Sequence, residues 1–556
     1  MFGAAFLLFL IANRAAYRGW FSGDDLDNLF WTQYVSWREF AWRLFSPVFY
    51  RHNFRPVGHF FFYAMGRVAG LSFPWYVAAV HLLHGLNVWL VYRLARRLGS
   101  QRRAAAAAVV FFAFPMAAFD ALWKPMYIFD LLCACFCLLC LLAYASRRYL
   151  AAWGCLWLAY KSKEMAVMLP LVLAILEWKF GGRRWLRLAP FFGVSLLFGS
   201  QALFSRSSPG QAYTLTFTWE ALKTTVSFYA SRAFLLPWAG LATLALPLIF
   251  RGRRVWLGTA AFWLLLAPVL FLPLRTYAAY LYVPLAFFAL AVAGLAERRR
   301  WQTLVLAGLV WLAANHWAMR RQRGWALLEA AHHRAYFTQL QRAFQEQGVP
   351  ECAAFDPPPP GLAEWGVQAA VRLASGNPRL EAAVLDSDAG RQCLARSSPA
   401  VLAWDPREGR LSVMRRMPGD SPPPYITMDN TAPVWRLGEG WFPRDVYFRW
   451  IGPRATATLA RPPGARAFEV RVNVGPQLLE RVRAPTLEVW LDGRLVGSHR
   501  FGRPGLHTAR WTIPPAPGGE VAVEFRASPV LELEGRRYGI AIYGFGFPPD
   551  AASRGQ

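Results

Sequence analysis

The feature that most constrains this chain is a succession of long apolar runs, nearly free of charge, separated by short connections rich in arginine. A helix that crosses a bilayer needs about 20 mostly apolar residues, and runs of that kind fill residues 1–318. A soluble protein of 556 residues would instead show several domains with alternating apolar and polar faces. Candidate spans fall at 1–13, 73–92, 104–119, 126–146, 149–161, 164–180, 188–204, 226–250, 255–273, 276–296 and 301–318. The pattern predicts a polytopic all-α membrane domain of roughly eleven transmembrane helices. Residues 1–13 would cover about 18 Å of a core about 30 Å thick, so that span is expected to begin upstream. Residues 149–161 are also short and pair with 164–180 as a shallow hairpin.

The arginines set an orientation. Arg93, Arg96, Arg97, Arg102 and Arg103 follow the second run, and Arg147 and Arg148 the fourth. Arg183, Arg184 and Arg187 follow the sixth, Arg251, Arg253 and Arg254 the eighth, and Arg298 to Arg300 the tenth. Every second connection is basic, which assigns those connections to the cytoplasm and the long C-terminal part to the other side. The same clustering accounts for the net charge of +28 without nucleic acid, for which no recognised motif is present. A bacterial inner membrane is the expected location.

The first outer connection, 14–72, is long and rich in Trp, Phe and Tyr, which fits helices lying in the membrane interface. Beyond the spans, 319–348 reads as a charged helix, and the PPPP run at 357–360 as a stiff connection. Residues 319–431 therefore form a linker and a small α/β region, and 432–556 a β-sandwich. The strands expected there include ATATLARP, AFEVRVNV, EVAVEFRA and GIAIYGFGF, and TLEVWLDGRLVGSHRF carries a turn at Asp492-Gly493. Of the seven cysteines, Cys133, Cys135, Cys137 and Cys140 lie in one apolar run as small hydrophobes. Cys352 and Cys393 pair if their compartment is oxidising, and otherwise remain free thiols.

Chemistry concentrates at the outer ends of the spans. In GWFSGDDLDNLFW, Asp24 and Asp25 sit beside the membrane, where acids need a partner or water. Either could act as a general base towards an acceptor hydroxyl, or cap an interfacial helix. In YRHNFRPVGH, Arg55 precedes Pro56 and so has extended backbone; its guanidinium can reach a phosphate, with His52 and His59 nearby. Lys124, Lys161, Lys163, Glu164 and Arg275 also lie at outer ends. Taken singly, such cations snorkel; taken together, they suit an anionic leaving group. His81 and His84, three apart on a helix, read as a polar stripe packed between helices.

Four stretches in order, SGDDLDNL, HNFRPVGHFFFY with HLLHGLNVWLVYRLARRLG, KSKEMAVMLPLVLAILEW and RTYAAYLYVPLAF, resemble the GT-C superfamily of membrane glycosyltransferases. The likeness is nearer to bacterial relatives of the transmembrane-and-TPR O-mannosyltransferases and covers roughly residues 15–300. It implies helices around a cavity open to the extracytoplasmic side, with Asp24 and Asp25 at an active site that inverts the donor's configuration. It also implies a polyprenyl-phosphate sugar donor in the membrane lipid, a protein, lipid or glycan acceptor and, in some members, a divalent metal (Mg or Mn) at Asp24 and Asp25. The TPR repeats of those relatives are absent. The competing readings are a lipid-linked glycan transporter, which would show internal repeats and midplane binding groups, and a non-catalytic glycan-binding membrane protein.

Overall fold

The computed structural model describes residues 2–48, 54–204, 213–297, 299–416, 419–445, 447–533 and 535–548. The chain divides into two compact units, 1–331 and 332–556. The first unit is helical. After Phe2–Ala12, the outer connection folds as helices Gly23–Thr32, Trp37–Phe45 and Pro56–Ala69. Trp37, Trp42 and Phe45 are exposed while Phe40 is buried, the outward aromatic face expected of a helix lying at an interface.

The apolar runs then become helices, but many are interrupted. Proline lacks an amide donor and clashes with the preceding turn, so it starts helices and breaks their interiors. The run at 104–119 is helical over Arg102–Ala113, breaks at Phe114 and Pro115, and resumes at Phe119–Trp123. The run at 164–180 opens as a 3-10 turn, Glu164–Met168, before Leu169–Phe180 with Pro170 in its first turn. The expected span 226–250 is not one helix: Trp219–Ala233 ends before Pro237, and Leu235 and Trp238 have φ of 61° and 57°. Among the described residues, four segments are long and apolar enough to cross a membrane: Phe73–Arg97, Arg102–Trp123, Pro125–Ala145 and Ala278–Ala296. The expected count of about eleven is not reached by this measure, because Tyr149–Ser162, Leu169–Phe180 and Arg253–Leu266 have 14, 12 and 14 residues, short of the ~20 needed. Trp301–Gln347 runs unbroken for 47 residues, joining the last run to the charged helix after it.

Apolar side chains such as Leu82, Leu150, Leu196 and Leu306 point outward, as a lipid-facing surface requires. Polar groups face inward. His84 Nδ1 lies 2.8 Å from the Tyr282 hydroxyl, and Asn87 donates to Leu131 O at 2.9 Å and to the same hydroxyl at 3.1 Å. His81 meets Leu122 O at 3.1 Å. This is the polar stripe expected between helices.

The second unit begins with a four-stranded sheet of order β2-β1-β3-β4, formed by β1 (Cys352–Phe355), β2 (Glu381–Val384), β3 (Pro399–Asp405) and β4 (Arg410–Arg415). β1 is parallel to β2 and β3, and β4 is antiparallel. A second four-stranded sheet and a six-stranded one follow, the former of strands Arg454–Arg461, Thr486–Leu491, Arg494–Arg500 and Gly519–Ser528, the latter centred on Ala467–Val474 and Ala541–Gly546. Burial alternates residue by residue along Ala467–Val474 and Thr486–Leu491, the period of a half-buried strand. Asp492 and Gly493, with φ of 47° and 76°, make the hairpin turn that needs left-handed residues. Cys352 and Cys393 are disulfide-bonded. Asp356 receives Arg449 Nη2 at 2.9 Å and Arg444 Nε at 3.3 Å, an ion triad that ties the small sheet to the sandwich.

Helices Arg253–Leu266 and Tyr282–Ala296 approach closely at Gly258, where a Cβ would stand 2.3 Å from Ala291 N. Gly258→Val should therefore force these helices apart, at a cost of about 1–3 kcal/mol or more. Thermal unfolding in detergent checks this, and an unchanged midpoint would contradict the close packing.

Candidate active site

Local sequence places the acidic motif at a helix start. Ser22 is the N-cap of Gly23–Thr32, and its hydroxyl accepts from Asp25 N at 3.4 Å. Asp25 Oδ2 in return accepts from Ser22 N at 2.8 Å and from Ser22 Oγ at 2.7 Å. This reciprocal capping box assigns the capping role to Asp25. Its other oxygen, Oδ1, has no hydrogen-bond partner, and the residue is 0% exposed. Burial pushes the Asp25 carboxyl up to about 7; the Ser22 hydrogen bonds and the charge of Lys124 pull it down, and the charge of Asp24 adds to the rise. Asp24, one residue earlier on the same turn, is partly exposed.

The cations gather from distant parts of the chain. Arg55 has the extended backbone expected before Pro56, with φ of −107° and ψ of 92°. Its amide donates to His59 Nδ1 at 2.9 Å, and its Nε donates to Glu164 Oε1 at 2.8 Å. Burial first, and then the Arg55 charge, hold the His59 imidazole neutral well below its usual range. Lys163, in the extended link between Tyr149–Ser162 and the 3-10 turn Glu164–Met168, binds both oxygens of Asp130 at 2.6 and 2.5 Å. Its ammonium also lies 4.3 Å from the Tyr280 ring centre. Lys124 binds both oxygens of Glu329 at 3.1 Å.

Arg275 differs from these three. Its guanidinium stacks 3.9 Å from the Tyr213 ring centre and 5.2 Å from that of Tyr277. Its charge is felt by Tyr280, Tyr213 and Tyr277, and among the described residues its Nε is buried without a hydrogen-bond partner. The groups form one connected set. Asp130 lies within electrostatic range of Lys163, Arg55 and Glu164, and Tyr280 within range of Arg275, Asp130 and Arg55. Tyr127 joins Asp130 and Tyr280 to Asp120, which faces Lys124, and Lys124 reaches Asp25.

Direct contacts thus pair Arg55 with Glu164, Lys124 with Glu329, Lys163 with Asp130 and Arg275 with Tyr213, while Asp25, beside Asp24, is tied to this set through the charge of Lys124. Lys161 points elsewhere: its buried ammonium donates to Ser46 O at 2.6 Å and lies 5.4 Å from the Trp157 ring centre. His52 lies outside the described residues. Sequence reasoning missed Asp120, Asp130, Tyr280 and Glu329. Asp130 carried a usable signal, since it is an acid inside an apolar run, where an unpartnered charge is costly. Among the described residues no group of three or more His, Cys, Asp or Glu side chains could hold a metal ion. Asp24 and Asp25 are thus two adjacent carboxylates without a third such ligand among the described residues.

No protein-family model matches the chain, and no curated protein matches it. Among solved structures it is similar to the arabinofuranosyltransferase AftD from Mycobacteria, at 14% identity and a TM-score of 0.45, over 98% of this chain and 58% of that one. A mutant structure of the same enzyme aligns at a TM-score of 0.43, with 14% identity, over 98% of this chain and 60% of that one. The chain therefore spans about three-fifths of the AftD chains. ArnT from Cupriavidus metallidurans, bound to undecaprenyl phosphate, aligns at 16% identity and a TM-score of 0.38, over 68% of this chain and 76% of that one.

The raised Asp25 carboxyl has a consequence for stability. Between its ordinary value of 3.8 and about 7 the folded chain binds a proton that the unfolded chain releases, so this contribution stabilises below pH 4 and is lost as pH rises through 7. Asp25→Asn removes the titration, so its stability relative to the native chain should improve from pH 5 to pH 8. The change should be up to about 3 kcal/mol, whatever the pH-independent cost to the cap. Thermal unfolding of both proteins at the two pH values measures this; an equal difference at both would refute the buried titration.

Proposed function

We propose that this membrane protein is a glycosyltransferase that moves a sugar from a polyprenyl-phosphate-linked donor to an extracytoplasmic protein, lipid or glycan. The observation that carries this reading is a network of charged and tyrosine side chains that runs from Asp25, beside the partly exposed acid Asp24, through Lys124, Asp120 and Tyr127 to Tyr280 and to Arg275, which among the described residues is paired with no carboxylate. Glycosyl transfer needs both: a base for the incoming hydroxyl and positive charge for the departing phosphate.

In the proposed reaction, Asp24 accepts the proton of the acceptor hydroxyl as its oxygen bonds to the anomeric carbon. The bond from that carbon to the phosphate oxygen breaks, and the phosphate leaves with the electron pair, inverting the configuration. Asp24 has the accessible surface this role requires, whereas Asp25 has none and spends one oxygen on the cap; Asp25 therefore positions the turn that carries Asp24. Arg275 meets the phosphate, since the charges of Arg55, Lys124 and Lys163 are already balanced by Glu164, Glu329 and Asp130. Those three pairs hold the surrounding elements together and set the local field.

The arginine clusters support an arrangement with this cluster and the C-terminal unit outside the cytoplasm, and the Cys352–Cys393 disulfide supports an oxidising compartment. The shorter apolar helices complete the membrane domain in this reading, which places the protein in a bacterial inner membrane.

Purified protein in lipid, given radiolabelled polyprenyl-phosphate sugars and an envelope extract, should move label to an acceptor. Asp24→Asn should lower the rate by about a hundred- to ten-thousandfold with little change in unfolding temperature. Arg275→Ala should lower it by about a hundred- to a thousandfold, with Arg275→Lys in between. Full activity of the Asp24→Asn/Asp25→Asn double variant would remove the mechanism.

A further inference from the structure

A second basic site lies at the other end of the helices that carry the proposed active site. Arg148 is the N-cap and Lys163 the C-cap of Tyr149–Ser162, so the two ends are about 20 Å apart at helical rise. Around Arg148, with Arg93, Arg96 and Arg97 at the end of Phe73–Arg97, opens a cavity of about 790 Å³. All four arginines are exposed, and among the described residues no acidic side chain lines the cavity. Arg97 Nη2 donates to Ala145 O at 3.1 Å and Arg96 to Ser100 O, which fixes their stems, while the Arg93 guanidinium sits 5.1 Å from the Trp89 ring centre. Behind the arginines the wall is apolar, built from Leu139, Leu142, Ala151 and Cys155.

Basic residues at the cytoplasmic end of a span are expected from insertion alone. A cavity that combines four guanidiniums without acids and an apolar wall calls for more. Guanidinium forks match phosphate oxygens, and an acyl chain matches the wall. We propose that this cavity binds the phosphodiester headgroup of an anionic phospholipid, with its acyl chain along Leu139, Leu142 and Ala151. The site stands apart from the transfer reaction and involves none of its residues.

Cys155 offers a local reporter. The other free cysteines, Cys133, Cys135, Cys137 and Cys140, are buried, and Cys352 and Cys393 are bonded. The full-length protein in neutral detergent would be titrated with phosphatidylglycerol or phosphatidylcholine, with binding read by native mass spectrometry and the site by the rate of Cys155 alkylation. Phosphatidylglycerol should bind in preference and slow the alkylation. Arg93→Gln/Arg97→Gln/Arg148→Gln should weaken it by about a hundredfold, roughly fivefold per arginine, while Arg93→Lys/Arg97→Lys/Arg148→Lys retains most of the affinity. No preference over phosphatidylcholine in the native chain would overturn the proposal, even if the Gln variant failed to fold. Protection of Cys155 by inorganic phosphate alone would overturn it as well, because the cavity would then be a soluble-anion site.

Discussion

The ion pair between Lys163 and Asp130 is the contact on which the rest of the proposed site depends. The ammonium binds both carboxylate oxygens, and both side chains are withdrawn almost wholly from solvent. Neither charge could stay where it is without the other, because burying one alone costs several kcal/mol. Asp130 stands at the start of Ile128–Ala145, and Lys163 joins Tyr149–Ser162 to the next turn. The pair therefore fixes how two apolar helices end relative to each other. It also places Lys163 against Tyr280, whose hydroxyl lies within range of the Arg275 charge. A structural pair thereby bears on the surroundings of Arg275, which among the described residues faces no carboxylate.

The same economy of charge explains why the acids and bases of the cluster differ in what they can do. Arg55, Lys124 and Lys163 each face a carboxylate, so their charges serve packing and field more than ligand capture. Arg275 is held by aromatic rings, which steady a guanidinium without neutralising it. Asp25 is held by Ser22 in a cap, and the cost of ionising it in a buried place is paid by the fold around it. Strain of this kind is common where chemistry is done, and here it lies one residue from the acid assigned as base.

The architecture was legible where physics is local. Alternation in AFEVRVNV and the Asp492-Gly493 turn correspond to a strand at Ala467–Val474 and a hairpin between Thr486–Leu491 and Arg494–Arg500. The His81 and His84 stripe is buried between helices. Span lengths were less legible, because hydropathy does not register the breaks at Pro115, Pro170 and Pro237. The residues of the outer cluster could be named from their position at span ends, but their pairings could not. Arg55 meets Glu164 and Lys124 meets Glu329 across 109 and 205 positions, and nothing in the linear sequence encodes those partners. The division of labour between Asp24 and Asp25 likewise emerged with the capping box, which depends on which oxygen faces Ser22.

In the proposed function one cluster receives the donor's phosphate and presents its sugar to Asp24. The most direct measurement is a density map of the protein in lipid with a bound polyprenyl-phosphate sugar. The phosphate should lie within hydrogen-bonding distance of the Arg275 guanidinium, flanked by Lys163, with the anomeric carbon turned towards Asp24. A phosphate seated away from Arg275, with the sugar out of reach of Asp24, would contradict it.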